Sequence, residues 1–544
     1  MKEKYLEWLE NCKLEQELYN ELKSISGEEE KISDRFYRDL AFGTGGLRGT
    51  IGAGTNRMNI YTVGRATFGF GKYLVEKWDK PSVVIAYDSR YKSREFAFLA
   101  ADILSSMGIK AHVFDELTPT PVLSYAVRKL GASGGIVITA SHNPKEYNGY
   151  KVYNEHGCQI TDEAAKEITQ SIKEFGYFEK YTPNKKLIKV IYDEIFEQFI
   201  AEMQTLSLRS IEKEFAPKIV YTPLHGTGRR YVTEMLRRVG VTDLMIVKEQ
   251  EMPDSEFTTC PYPNPEEKEA LNLALQYAKE QNADMVLATD PDADRVGVAV
   301  KENDEYRRLT GNETGILLMN YILEAQKSKG TLKQDATVIK TIVTTDMAFE
   351  VAKNYGVSVE EVLTGFKYIG EKMDATNNFV MGLEESYGYL VGEHARDKDA
   401  ISAVMLIAEM CAYYKSQGKT LVSVLDGLYE KYGYYATDLQ SFAYLGETGM
   451  KQMQEVMDRI RNNPITEIGG SRVAFTDFLL GIDGLPKSNV LRFKNDKLNV
   501  IFRPSGTEPK LKIYFQVRAK KADLNRVLES IKNDVLKLIC VVDQ

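Results

Sequence analysis

The sequence is poor in cysteine. Its five cysteines, Cys12, Cys158, Cys260, Cys411 and Cys540, lie far apart in a chain of 544 residues and form no C-x-x-C pair. Odd, scattered thiols argue against a disulfide framework and read as reduced side chains in a cytoplasmic protein. Long hydrophobic runs are also missing, and none approaches the roughly 20 residues that a membrane span requires. The first residues, MKEKYLEWLENCKLEQELYNELK, alternate charged and apolar positions without the apolar stretch of a signal peptide. Their leucines and aromatics recur at helical spacing and predict an amphipathic helix packed on the body. Positive charge is not in excess either, with 70 Lys and Arg against 78 Asp and Glu. The formal net charge of -8 argues against a nucleic-acid binder that works by bulk electrostatics. It leaves room for a small anionic ligand, because screening lets a few fixed Arg and Lys make one pocket positive. These absences point to a cytoplasmic, soluble protein with a small-molecule partner, no nucleic acid and no membrane, as a monomer or dimer.

What is present is ordinary for a globular protein, 43% hydrophobic and 27% charged, in a chain too long for one core. Short β-branched runs alternate with helical patterns, as in SVVIAYDSR (82–90) before EFAFLAADILSSMG (95–108) and KIVYTPLHG (218–226) before RRYVTEMLRRVG (229–240). That alternation predicts α/β domains with parallel or mixed sheets, whose ligands gather beyond the carboxyl ends of strands. Four times a strand-like run stops in a small polar loop: at Ser141, at Asp290, near Glu384 and at Arg503. The spacing places one loop in each of four segments, 1–205, 206–311, 312–435 and 436–544, and suggests one site assembled at a shared cleft. The last segment, with a helix at 449–462, scattered strands and a terminal helix at 521–538, reads as a separate α+β domain.

Each loop offers distinct chemistry. After GGIVITA comes Ser141-His142-Asn143-Pro144, a serine expected to face solvent at a strand's end, with Lys151 ten residues on. It suits a nucleophile or phosphate carrier, and equally a serine that caps a turn. The second loop is Asp290-Pro291-Asp292-Ala293-Asp294-Arg295. Spacing of two in an extended segment would aim its carboxylates one way, and hard oxygen donors suit Mg²⁺. A calcium EF-hand is excluded, since its obligatory Gly and Glu are here Arg295 and Lys301. The third loop, Gly382-Leu383-Glu384-Glu385-Ser386-Tyr387-Gly388-Tyr389, pairs a carboxylate with a hydroxyl, as vicinal sugar hydroxyls require. His394 and Lys398 follow at helical spacing, and the same stretch also fits a polar turn before a helix capped near Asp397. The fourth, Arg503-Pro504-Ser505-Gly506-Thr507-Glu508-Pro509, makes an anion nest or a plain tight hairpin. Near the N-terminus, GTGGLRG (43–49) adds a flexible loop carrying Arg48.

TASHNP, DPDADR, GLEESYG and RPSGTEP, in this order, resemble the α-D-phosphohexomutase superfamily, and GTGGLRG with the EES loop looks most like its phosphoglucomutase branch, which includes phosphopentomutases. The resemblance runs from about Leu40 to Tyr514. It implies three related α/β units with mixed sheets and a smaller C-terminal α+β domain around a central cleft. By position it implies that Ser141 is the phosphoserine and that Asp290, Asp292 and Asp294, with Ser141 itself, hold Mg²⁺. Glu384 and Ser386 match the readers of sugar hydroxyls, while Arg503, Ser505, Gly506, Thr507 and Lys512 match the grip on the non-reacting phosphate. Arg295, Gly365, His394 and Lys398 are counted with the substrate-binding positions. Lys151, His142 and Arg48 are counted with the catalytic ones, Lys151 or His142 as general base. One departure stands out: the histidine that phosphomannomutase-type relatives carry after the sugar-loop serine is replaced here within Tyr387-Gly388-Tyr389, although His394 falls where the phosphoglucomutase branch has one.

The activity this implies is interconversion of glucose 1-phosphate and glucose 6-phosphate, with glucose 1,6-bisphosphate as intermediate and activator. Phosphopentomutase and phosphomannomutase activity are the nearest alternatives. An aspartyl-phosphate phosphatase acting through Asp290 and a catalytically silent phosphosugar-binding protein are the more distant ones.

Overall fold

The computed structural model describes all residues except Thr44, 445–447, Asp483, 506–509 and 540–544. The chain forms two compact units. The first comprises Met1–Leu318 and Phe366–Thr420, the second Met319–Gly365 and the segment from Leu421 onward.

The first unit holds two mixed sheets. Six strands run in the order Gly46–Thr50, Tyr147–Asn154, Gly134–Ile138, Ser82–Tyr87, Lys110–Phe114 and Ile188–Ile191. The last four are parallel and the first two antiparallel to their neighbours. Its central strands are buried on both faces, so they read as continuous runs such as Val83-Val84-Ile85-Ala86 rather than as alternating ones. The second sheet orders Glu305–Leu309, Val296–Glu302, Met285–Thr289, Ile219–Thr222 and Leu244–Ile246, again with antiparallel strands on one side only. An antiparallel pair, Phe379–Glu384 with Gly388–Val391, completes the unit's strands.

The N-terminal segment is not the single helix its spacing predicts. It forms helices Lys2–Asn11, Gln16–Ser24 and Glu29–Phe36, the first two broken by a tight turn at Cys12–Leu14. The break lets the chain double back, so that Tyr5, Trp8, Cys12, Leu22 and Phe36 share one cluster. Trp8 meets Phe36, Tyr61, Tyr177 and Phe178 edge-on, with ring centroids 5.2–5.8 Å apart.

Helix Ala400–Ser416 is apolar on nearly every face and buried along its length, with Glu409 in its midst. That carboxylate accepts the backbone N–H groups of Leu208 (2.9 Å) and Arg209 (2.8 Å) and the hydroxyl of Ser207 (2.5 Å). A buried charge is tolerated because the connection between the two sheets supplies its donors.

The second unit pairs Thr337–Thr341 with Ser358–Val362 in parallel. Its five-stranded antiparallel sheet has the order Tyr434–Ala443, Lys510–Ala519, Leu498–Pro504, Leu491–Lys494 and Ala474–Asp477. Helices Gly449–Asn462 and Leu524–Ile539 cover its core of Phe493, Val500, Phe502, Ile513 and Phe515.

Replacing Glu409 by Ala removes the acceptor of the half-buried Leu208 and Arg209 amides. The expected loss is about 2–4 kcal/mol of stability, read as a lowered urea midpoint, with Glu409→Gln losing roughly half as much.

Candidate active site

Three of the four polar loops come together in the first unit, and each is the hairpin link between a sheet strand and its antiparallel neighbour. Ser141 follows Gly134–Ile138 in left-handed backbone, φ 51°, a conformation that costs a non-glycine residue about 1 kcal/mol or more. Its N–H donates to Thr139 Oγ1 at 2.8 Å. The sequence places this serine in solvent, whereas the structure buries it to 4% exposure. The cause is the neighbouring turn: Ser141 Oγ donates to Asp290 Oδ2 at 2.7 Å. His142 Nδ1 lies 3.2 Å from the same Oγ. Burial, with Arg295 and Arg48 nearby, holds this imidazole well below its usual range, so it is neutral at pH 7.

The aspartates converge by a route the sequence reading did not anticipate. They do not alternate along an extended strand. Asp290 ends Met285–Thr289, and the chain then turns tightly with Ala293 at φ 51°. Asp290 Oδ1 accepts the N–H groups of Asp294 (3.1 Å) and Arg295 (3.0 Å), which curls the loop around its own first carboxylate. One ligand atom from each of Asp290, Asp292 and Asp294 then lies within 4.8 Å of the others, all three side chains being buried.

Cations partly balance this charge. Lys151 Nζ is 2.9 Å from Asp292 Oδ2 and 3.7 Å from Asp294 Oδ2, and Lys398 Nζ is 3.1 Å from Asp294 Oδ2. Arg295 pairs with Glu266 on the flank. Burial and the other two carboxylates push Asp290 well above the carboxylate range, while burial with Asp292 and Asp397 raises Asp294 against Lys398 and Lys151. Asp292 moves down: burial opposes this, but Lys151 and its hydrogen bonds prevail. Two oxygens, Asp292 Oδ1 and Asp294 Oδ1, are buried with no hydrogen-bond donor. Orphaned carboxylate oxygens in a crowded triad are the donor set of a hard divalent cation, and the residues fit one.

Burial works to lower the pKa of Lys151, yet Asp292 and Asp294 outweigh burial and raise it, which favours the ammonium form beside the two carboxylates.

Glu384 ends Phe379–Glu384 opposite Gly388, and Glu385-Ser386-Tyr387 make the turn, with Tyr387 at φ 64°. This turn abuts the aspartate turn, Val296 N donating to Tyr387 O at 3.1 Å. Gly388 is required here, because a Cβ would lie 2.1 Å from Lys398 Cδ and block its path. Glu384 is 5% exposed, and burial, opposed by Lys398 and reinforced by Glu385, pushes its carboxyl up to about 7.

His394 and Lys398 do not share a helix. Residues 392–399 run irregularly and the helix starts at Ala400, capped by Asp399 rather than Asp397. Its carboxylate is better placed, since Asp399 Oδ1 accepts the Ile401 N–H at 2.8 Å. His394 Nε2 lies 2.9 Å from Asp399 Oδ2, which ties that ring to the cap. Arg48, on Gly46–Thr50, reaches the serine loop through Asn143 Oδ1 at 3.3 Å.

The remaining predicted positions belong to the second unit. Gly365 takes φ +121° before helix Phe366–Asp374. Arg503 and Lys512 face each other across strands Leu498–Pro504 and Lys510–Ala519. Ser505 N donates to Lys510 O at 2.8 Å, while Gly506 and Thr507 lie outside the described residues.

Sequence reasoning missed several partners. Thr120 Oγ1 donates to Asp292 Oδ2 at 2.8 Å, and Tyr153 OH to Asp397 Oδ2 at 2.8 Å, beside Lys398. Asp88 and Arg90, buried behind the serine loop, were passed over, although YDSR repeats the signal of a strand ending in polar residues.

Comparison with known proteins adds an independent line. The phosphoglucomutase/phosphomannomutase family models match in succession: α/β/α domain I over residues 39–177, domain II over 196–303, domain III over 310–432 and the C-terminal domain over 449–533. The phosphoglucomutase of Staphylococcus haemolyticus is 36% identical over 526 residues, 93% of this chain and 94% of that protein. That of Staphylococcus saprophyticus is 36% identical over 545 residues, 95% and 97% of the two chains. Among solved structures, the open form of parafusin, a phosphoglucomutase of Paramecium, superposes with a TM-score of 0.70 at 20% identity, covering 92% of this chain and 95% of that one. That last likeness speaks to the fold alone.

A divalent cation that fills the aspartate triad stabilises the folded chain, by about 2.7 kcal/mol at a hundred times its Kd. Chelation should therefore lower the melting temperature of the wild type, and Asp292→Asn should abolish the difference between chelated and cation-loaded protein.

Proposed function

Since the chain belongs to the phosphoglucomutase/phosphomannomutase family, we propose that it is a phosphoglucomutase, exchanging glucose 1-phosphate and glucose 6-phosphate through phospho-Ser141. The observation that carries this reading is Ser141 Oγ at 2.7 Å from Asp290 Oδ2, a hydroxyl seated against a metal-capable triad. Curated relatives at 36% identity over most of the chain, all phosphoglucomutases, favour a glucose phosphate over a pentose or mannose phosphate.

Phospho-Ser141 gives its phosphoryl group to the free hydroxyl of a bound glucose phosphate. The bond from phosphorus to Ser141 Oγ breaks and one to the sugar oxygen forms. The proton leaving the sugar hydroxyl is matched by the one Ser141 Oγ takes up, and His142 Nδ1, 3.2 Å away and neutral, is placed to hand it over. Glucose 1,6-bisphosphate then turns end for end and returns its other phosphate to Ser141 by the reverse steps. Transfer of this kind has a loose transition state, so position and charge do most of the work. Asp290, Asp292 and Asp294, with the serine phosphate, would hold Mg²⁺, which would supply charge stabilisation to the transfer. Lys151 and Lys398 add fixed positive charge beside them. Glu384 and Ser386 receive the sugar hydroxyls, Arg48 and Arg295 border the reacting end, and Arg503, Ser505, Gly506, Thr507 and Lys512 take the phosphate that does not react.

Conversion of glucose 1-phosphate, coupled to NADPH formation, tests the reading. Turnover should need Mg²⁺ and rise with a trace of glucose 1,6-bisphosphate; no turnover in either condition would overturn it. Ser141→Ala should lose at least about 10⁴-fold in kcat while still binding glucose 1-phosphate. The pH profile gives a separate check. Glu384 offers both oxygens as acceptors to sugar hydroxyls only when ionised, and burial pushes its carboxyl up to about 7, so kcat/KM should fall as pH drops below that value. Glu384→Gln should remove this limb and cost roughly 10- to 100-fold in kcat/KM.

A further inference from the structure

Beyond the groups that meet the substrate, we infer that Arg90 is a positioning residue that holds the Ser141 loop in register for both halves of the phosphoryl exchange, an inference that rests on the mutase reading above. Its side chain is fully buried. Nη1 donates to the carbonyls of Pro144 (2.8 Å) and Tyr147 (3.0 Å), and Nη2 to those of Ser141 and Asn143. One guanidinium thus gathers four main-chain oxygens of a single loop, a task its planar fork of five donors fits and an ammonium with three does not.

The opposite side of Ser141 is tied to the same anchor. Asp88 Oδ2 accepts Thr139 Oγ1 at 2.6 Å, and Thr139 Oγ1 in turn accepts the Ser141 N–H at 2.8 Å. Asp88 Oδ1 takes the Arg90 N–H (2.9 Å) and Ser93 Oγ (2.7 Å), and Asp88 Oδ2 lies 3.3 Å from Arg90 Nε. The N–H of Ser141 is held through Asp88 and its carbonyl through Arg90. The ring of Phe257 covers the guanidinium, 5.0 Å from centroid to Cζ.

This explains how a serine persists at φ 51°. Such a conformation survives only where several bonds specify it at once. The need is specific to a mutase. Ser141 gains and loses a dianionic group in each cycle, and Oγ must keep its place opposite Asp290 in both states. The carbonyl clamp does not touch Oγ, so it is indifferent to whether phosphate is present.

The test compares Arg90→Lys, Arg90→Ala and Asp88→Asn with wild type. It measures kcat and KM for glucose 1-phosphate, melting temperature, and the rate at which glucose 1,6-bisphosphate phosphorylates Ser141 in a single turnover. Arg90→Lys should stay folded with KM within threefold of wild type, while kcat and the single-turnover rate fall together by about 10²-fold. Asp88→Asn, which loosens the guanidinium without removing it, should show the same split at about tenfold. Millimolar guanidinium should restore part of the lost rate to Arg90→Ala, a rescue that a purely structural role would not give. Single-turnover rates within threefold of wild type in folded Arg90→Lys and Asp88→Asn would overturn the inference, as would losses that only track the unfolded fraction. Wild-type protein that neither turns over nor phosphorylates Ser141 would overturn the mutase reading and this inference with it.

Discussion

Asp290, Asp292 and Asp294 share one turn with almost no solvent, and such a concentration of negative charge is tolerable only against cations. The chain meets that need from separate places. Lys151 comes from the antiparallel strand Tyr147–Asn154 of the first sheet, and Lys398 from the loop that follows the third strand pair. Thr120, at the start of helix Thr120–Lys129, fixes a carboxylate oxygen of Asp292. Balancing the charge therefore assembles the unit, since each counter-ion brings its own element to the turn. The two carboxylate oxygens left without donors mark what the protein's own cations do not satisfy.

The four polar loops occupy one kind of structural position. The serine, aspartate and glutamate loops all link a strand to its antiparallel neighbour, and so does the Arg503 loop of the second unit. A link of this kind has both ends held in register by the ladder, so a short polar stretch can be aimed without a long loop's entropy. Sheets supply rigidity, while the links supply side chains with few apolar neighbours of their own. Ser141 receives a second layer of restraint because its loop, from Thr139 to Glu146, is the longest of the three in the first unit.

Much of this was legible in the sequence for a physical reason. Strands buried on both faces read as unbroken apolar runs, and a sudden Ser, Asp or Glu at their ends has no packing role to explain it. The loops of Ser141, Asp290 and Glu384 are legible in this way, and the helix expected at 449–462 forms as Gly449–Asn462. What failed depended on backbone direction. Alternation along Asp290–Asp294 presumed an extended chain, but an aspartate that accepts its own downstream N–H groups makes a turn instead. Helical spacing between His394 and Lys398 presumed a helix that begins only at Ala400. The exposure expected of Ser141 could not be judged without its partner loop 149 residues away. Thr120 carries no motif at all, and Arg90 only the polar end of a strand-like run, since one hydroxyl or one guanidinium gains meaning from what folding sets beside it.

The left-handed backbone at Ser141 sets stability against purpose. Glycine occupies that conformation without strain, so the substitution that would most ease the backbone there is also the one that deletes the hydroxyl. A search for heat-tolerant variants that scored folding alone would reward losing the reaction. The hydroxyl to which we assign the phosphoryl group is thus one that selection for a sturdier chain, left to itself, would discard.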